Sequence, residues 1–193
     1  MAQTGTEMNR YVVALTGASG MIYAKELLAY FAGRRDLELH AVISAVGEQV
    51  LALELGLTPG ELAPGAHWHR VDDLTAPLAS GSFKARAMVV VPCSMGTLGA
   101  IAQGVGRNLI HRAGDVFLKE RRSLILVVRE TPLSLIHLEN LTRVAAAGAT
   151  VMPACPGFYH RPATLEDMSR QFAGRVLDLL GLAHHLGPRW GEN

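Results

Sequence analysis

The stretch "YVVALTGASGMIYAKELLAYF", residues 11–31, sets the fold. It opens on a run of β-branched and apolar residues. It then passes through a glycine-containing turn and continues with Ile22, Leu27, Leu28 and Phe31 on roughly one helical face. An apolar run without polar alternation reads as a strand covered on both sides, and the 3.6-residue spacing after the turn reads as a helix packed on it. Gly33 stands where that helix is expected to end. Strand, turn and helix in this order open a βαβ unit. Gly17 and Gly20, with Ser19 between them, fall short of the full G-x-G-x-x-G pattern. Alone, the turn promises only a phosphate-sized ligand at a helix start.

The same alternation recurs down the chain. Further apolar runs are "LELHAVIS" (37–44), "AMVVVPCS" (87–94), "SLILVVRE" (123–130) and "ATVMPA" (149–154). Helical patterns fall at "GEQVLALELG", ended by Gly56, at "LSLIHLENLTRVAAAG", stopped at Gly148, and at "TLEDMSRQFAGRVLDLLG", where Thr164 is an N-cap with Asp167 three residues on. Two more helical segments, "GTLGAIAQG" and "NLIHRAGDVFLKERR", follow each other within 95–122. The expected class is α/β: a doubly wound, mostly parallel sheet of five strands with helices on both faces and right-handed crossovers. Residues 57–82, rich in Pro and Gly, read as a long excursion, and loops of that length usually carry function.

With 193 residues the chain is expected to form one domain over 1–193, with 1–9 and 191–193 as loose ends. A mean hydropathy of +0.21 is high for a soluble protein. Yet no apolar stretch reaches the ~18–20 residues of a membrane span, and the first ten residues hold no signal-peptide core. The apolar surplus is expected inside the fold or between subunits. The 18 basic and 17 acidic residues nearly cancel, which argues against nucleic acid as a partner. Cys93 and Cys155 are far apart in apolar contexts and cannot hold a metal by themselves, which suits a reducing cytoplasm. The eight histidines show no metal-ligand spacing, and His184 and His185 read as surface residues.

In an open α/β sheet, ligands bind beyond the carboxyl ends of the strands. Those ends carry Gly17-Ala18-Ser19-Gly20, Ser44, the run Ser94-Met95-Gly96-Thr97, Arg129-Glu130, and a loop with Tyr159. Three of the five place hydroxyls and small residues at helix starts, where free N–H groups and the dipole favour an anion. Ordinary N-capping would use the same residues. Glu54 lies in the last turn of its helix, where the macrodipole disfavours a carboxylate by ~0.3–1 kcal/mol. It reads either as a solvated helix end or as a carboxylate held for proton transfer. Arg112, Lys119, Arg129 and Arg175 sit in or beside apolar elements. Arg129 calls for an anion there, either Glu130 or a phosphate.

Taken in order, "TGASG", "PCSMGTL", "RAGDVFLKERRSLILVVRETPLSLIHLEN", "MPACPGFYHRP" and the closing "PRWGE" resemble the flavin prenyltransferases of the UbiX type over about residues 11–190. The resemblance implies a Rossmann- or flavodoxin-like flavoprotein domain. Its expected activity joins a dimethylallyl group, from dimethylallyl monophosphate, to N5 and C6 of reduced FMN without a metal. It also implies a homododecamer and a UbiD-type decarboxylase as recipient of the prenylated FMN. Carried over by motif, Gly17, Ala18, Ser19, Ser44, Ser94, Met95, Gly96, Thr97 and Arg129 would contact FMN. Arg112, Lys119, Tyr159 and Arg175 would hold the donor phosphate, on elements that meet across subunits. Ser19 and Glu54 would relay a proton near N5, with Glu130 beside the departing phosphate and Tyr159 at the reacting centre. Leu74 stands where the family often has an aromatic residue, which bears on the shape of the prenyl pocket. Two alternatives are a flavin-dependent decarboxylase on the same fold, which would carry a Met- and Asn-rich motif in place of "PACPGFYHRP", and a non-catalytic FMN-binding subunit.

Overall fold

In the computed structural model, residues 9–191 are described. The chain runs through β1 (Asn9–Leu15), α1 (Met21–Phe31), β2 (Leu37–Ile43), α2 (Ala45–Leu55), α3 (Pro59–Leu62), β3 (His67–His69), β4 (Ala87–Cys93), α4 (Met95–Ala102), α5 (Leu109–Lys119), β5 (Ser123–Val128), α6 (Leu135–Ala146), β6 (Thr150–Pro153) and α7 (Leu165–Leu179). The strands pair in the order β3-β2-β1-β4-β5-β6, every neighbour parallel. This is the doubly wound order. Its direction reverses between β1 and β4, which opens a crevice at their carboxyl ends.

The two-residue period of a strand divides the core into two layers. Tyr11, Val13 and Leu15 of β1 face Leu27, Leu28 and Phe31 of α1 and Phe172, Val176 and Leu177 of α7. Val12 and Ala14 face the other way, towards Leu98 and Ile101 of α4, Phe117 of α5 and Val144 of α6. β4 is buried at all seven positions, which is why it reads as an unbroken apolar run. Full burial of each such large side chain contributes about 1.5–3 kcal/mol. Thr164 caps α7 as the sequence suggests: its hydroxyl accepts from the Asp167 N–H, and the Asp167 carboxylate accepts from the Thr164 N–H.

Three expectations need correction. The excursion 57–82 is not all loop. It contains α3, the edge strand β3 and a single 3-10 turn at Pro77–Ala79. β3 escaped notice because its three residues, His-Trp-His, show no apolar alternation. Trp68 packs on the core layer of α1. On the opposite face His69 approaches His40 of β2 (Nδ1 to Nε2, 2.8 Å), and the other nitrogen of His40 lies 2.9 Å from Glu38. His184 is not a surface residue. Its side chain is 4% exposed and pairs with Asp178 of α7. Among the ends expected to be loose, Asn9 already pairs with Leu37 in the sheet, while 1–8 and 192–193 lie outside the described residues.

Candidate functional site

The crevice between β1 and β4 is closed at its base by Thr16, which is 1% exposed. Its hydroxyl donates to the Pro92 carbonyl (2.8 Å) and accepts from the Ser94 N–H (2.8 Å), tying the end of β1 to the end of β4. On the other side the Ser44 N–H donates to the Leu15 carbonyl, tying β2 to β1. The three turns that follow are thereby held at one edge. Sequence reasoning passed over Thr16; the signal was its place as the last residue before the turn, where a hydroxyl can bridge two strand ends.

Gly17 is required by space. A Cβ there would lie 2.4 Å from Cγ1 of Val46, so no larger residue fits between this turn and α2. Gly20 is required by conformation, with φ of +113°. Ala18 is buried and Ser19 exposed between them. Ser44 and Ser94 both cap their helices: the Ser44 hydroxyl accepts from Gly47 N–H, and the Ser94 hydroxyl accepts from Thr97 N–H and donates to the Thr97 hydroxyl. Both serines thus act as ordinary helix caps. This leaves the N–H groups of Met95 and Gly96, in the first turn of α4, without an acceptor inside the helix. A Cβ on Gly96 would meet nothing within 4 Å. This donor set suits the phosphate of a flavin mononucleotide.

Helix α1 is different. Its N-cap is Gly20, which has no side chain to cap with. The carboxylate of Glu54 reaches across from the end of α2 instead. It accepts from the Met21 N–H at 2.8 Å and from the Gly20 N–H at 3.0 and 3.1 Å. The helix dipole that disfavours this carboxylate at the end of α2 is offset by one that favours it at the start of α1. Glu54 is thus fixed on the backbone beside Ser19. Across the crevice, Arg129 is half-buried at the end of β5 and its Nε donates to the Ser19 carbonyl (3.2 Å). It does not pair with Glu130, whose carboxylate accepts from the Thr131 N–H of its own exposed loop.

A second cavity, about 410 Å³, lies between the loop after β6 and α7, where Met152, Gly157, Tyr159, Gln171 and Arg175 are among its walls. The Tyr159 hydroxyl donates to the Pro188 carbonyl (3.4 Å) and accepts from Gln171 Nε2 (3.1 Å). Both ring nitrogens of His160 and Oε1 of Gln171 are buried without a hydrogen-bond partner among the described residues. Buried polar atoms of this kind call for a polar ligand, water or neighbouring chain. Arg112 and Lys119 are not part of this cavity. They belong to α5, on the other face of the sheet from α7. Arg112 holds Asp115 and the Ala79 carbonyl, and Lys119 pairs with Glu120. One chain therefore brings together Ser19, Glu54 and Arg129 at the crevice, and Tyr159 and Arg175 at the cavity, but does not bring Arg112 and Lys119 to either.

Cys93 is fully buried and its thiol is pushed up to about 12 by desolvation. It packs the crevice floor and is not a nucleophile. Among the described residues no group of three or more His, Cys, Asp or Glu is arranged to hold a metal ion.

The model of the family described as Flavoprotein matches residues 2–173. The flavin prenyltransferase UbiX of Halalkalibacterium halodurans is 44% identical over 193 aligned positions, covering 94% of this chain and 93% of its own. Among solved structures, AnUbiX (PadA1) in complex with FMN and dimethylallyl pyrophosphate superposes with a TM-score of 0.93 at 43% identity, covering 97% of this chain and all of its own. A dodecameric FMN-dependent Ubix-like decarboxylase from Escherichia coli O157:H7 superposes at 0.91 and 39% identity, covering 94% and 98%. An FMN-dependent cysteine decarboxylase, TvaF, at 19% identity and 0.59, shares the fold alone. With the doubly wound fold and its crevice in place, these matches mean that the chain belongs to the flavoprotein family and, within it, to the UbiX flavin prenyltransferases.

Proposed function

We propose that this chain joins a dimethylallyl group to reduced FMN and releases prenylated FMN. The observation that carries the reading is the Glu54 carboxylate, held on the backbone of Gly20 and Met21 beside the exposed Ser19 at the switch point of the sheet. A fixed carboxylate next to a free hydroxyl is a proton relay in the making. When bound, reduced FMN supplies the electron-rich ring whose N5 and C6 take the prenyl carbons. Gly17, Ala18 and Ser44 line the approach to it. The first turn of α4, Ser94 through Thr97, offers N–H groups to its phosphate, and Arg129 anchors the turn it rests on.

The donor is dimethylallyl monophosphate. Breaking its C–O bond leaves a phosphate anion, which cationic and hydroxyl groups stabilise as its charge grows. Tyr159 and Arg175 contribute from one chain, Arg112 and Lys119 from a neighbour, with Glu130 beside the leaving phosphate. The placement of α5 and α7 on opposite faces supports a site shared between subunits. So do Leu135, Ile136 and Leu138 on α6, exposed by 70, 68 and 47% and suited to a covered face in a homododecamer. The chain works as one flavoprotein domain in the cytoplasm and hands its product to a UbiD-type decarboxylase. Two cysteines without a disulfide suit a reducing compartment. Among the described residues no helix is long and apolar enough to cross a membrane.

The test is anaerobic incubation of the purified chain with FMN, a reductant and dimethylallyl monophosphate, followed by mass spectrometry of the released flavin. A flavin heavier by one C5 unit supports the reading; unmodified FMN refutes it. Direct decarboxylation is the second reading, favoured by the likeness to the FMN-dependent Ubix-like decarboxylase of Escherichia coli. It predicts carbon dioxide from a carboxylic acid substrate with no partner enzyme and no donor.

A further inference from the structure

Asp178 has no part in the reading above, yet it is the most heavily engaged carboxylate near the cavity of Tyr159 and Arg175. It sits on α7 three residues after Arg175, with its side chain 19% exposed. Oδ2 accepts from Arg175 Nη1, while Oδ1 accepts from Arg189 Nη2 at 2.8 Å and from His184 Nε2 at 3.0 Å. The tautomer of His184 follows from its other nitrogen. Nδ1 accepts from the Leu186 N–H at 3.1 Å, which leaves Nε2 as the nitrogen that donates to Asp178. Burial works against the charged carboxyl, but the hydrogen bonds from His184 and Arg175 outweigh it and hold Asp178 below the usual range.

The segment that supplies these partners is strapped across α7 and reaches Tyr159. A Cβ on Gly174 would lie 2.8 Å from His184 Cε1 and 3.0 Å from the Leu186 carbonyl, so the strap rests directly on the helix backbone. Tyr30 donates to the Ala183 carbonyl (2.9 Å) and Tyr159 to that of Pro188, and the Tyr159 and Trp190 rings meet edge to face at 5.1 Å. Both cavity residues of the donor site are thus tied to one C-terminal strap, Tyr159 directly and Arg175 through Asp178.

We propose that Asp178 is a positioning residue for the prenyl-donor phosphate: it holds the Arg175 guanidinium over the cavity and keeps two of its own acceptor contacts, Arg189 and His184, when Arg175 turns to the ligand. Arg175 is more than half exposed, and an arginine side chain gives up substantial rotamer freedom when it is fixed on a ligand. A carboxylate one turn away limits that freedom beforehand. Because the exposed pair itself is weak, it does not compete seriously with a phosphate dianion. The proposal rests on Arg175 being a donor-phosphate ligand, so its test includes that residue.

The test is a double-mutant cycle of D178N and R175A in the FMN-loaded protein. Calorimetry gives the Kd of dimethylallyl monophosphate, and prenylation kinetics give KM and kcat. D178N is expected to weaken donor binding by about 5–10-fold, to change kcat by less than about 2-fold, and to leave FMN affinity unchanged. In the R175A background D178N is expected to have no further effect on donor Kd. D178E, which keeps the charge and the fold, is expected to fall between wild type and D178N, again only when Arg175 is present. It decides the matter if D178N fails to fold. Equal weakening with and without Arg175 would make Asp178 a merely structural residue and overturn the proposal, as would a D178E and D178N donor Kd equal to wild type. If R175A itself leaves donor Kd unchanged, the assignment of Arg175 fails, and with it the basis of the proposal.

Discussion

Glu54→Gln separates the two roles that meet in one carboxylate. Two backbone N–H groups, of Gly20 and Met21, share its two oxygens. Glutamine keeps one acceptor and replaces the other with an NH₂ group that faces a donor. With the amide oxygen in the Oε2 place both N–H groups keep an acceptor, but the Gly20 bond to Oε1 is lost, an NH₂ group faces the Gly20 N–H there, and the charge opposite the α1 dipole is removed. The dipole effect is worth ~0.3–1 kcal/mol, and a hydrogen bond to a charged group ~1.5–3 kcal/mol, values that solvent reduces. Glu54 is exposed, so the expected loss is near the lower end, about 1 kcal/mol. For a chain of this length that lowers Tm by about 2–4 °C, measured by a melt in matched buffer without flavin. A proton relay adds a second, independent effect. Removing a general acid or base costs about 10²-fold or more in rate, so single-turnover prenylation followed by anaerobic mass spectrometry should slow by at least about 100-fold, with FMN affinity unchanged. A lower Tm with an unchanged rate would make Glu54 a helix cap and nothing more. No change in either would refute the clamp itself.

Tyr159→Phe and Arg175→Ala are expected to weaken dimethylallyl monophosphate binding by about 10-fold while leaving FMN affinity within about 2-fold; equal loss of both ligands in calorimetry would contradict the division into crevice and cavity. Stability is expected to fall as pH drops below 6.5. Burial lowers the pKa of His40, His69 and His111, so the folded chain keeps them neutral while the unfolded chain takes up protons, and stability present above 6.5 is lost on the acid side. Melts from pH 7.5 to 5 should show this slope, flatter in H69Q; Tm constant over that range would refute it, since carboxylates such as Glu38, also held low, act only at lower pH. Iodoacetamide should label Cys155 but not Cys93 in the native chain, read by mass spectrometry, because one is exposed and the other fully buried; rapid modification of Cys93 would show that the crevice floor opens.

The sequence alone determined the layered sheet, because its signals are local. An unbroken apolar run such as "AMVVVPC" must be buried on both sides, and a Ser or Thr before a periodic segment caps it, as Ser44, Ser94 and Thr164 do. The strand-end turns were legible for the same reason: parallel strands place their carboxyl ends at one edge. β3 was not, because three residues with two histidines carry no period, and only pairing with β2 makes them a strand. Nor could spacing reveal what Glu54 touches. It reaches α1 across 34 positions because α1 and α2 flank the same sheet edge, and the space above Gly17 admits Val46 but no added Cβ. His184 shows the same limit: near the chain end it reads as solvent-exposed, and the tertiary fold buries it against Asp178 by laying the last segment over α7. Local backbone preference is written residue by residue. Which side chain ends up at which helix end is settled only when the layers pack, and at this site that decides where the charges meet.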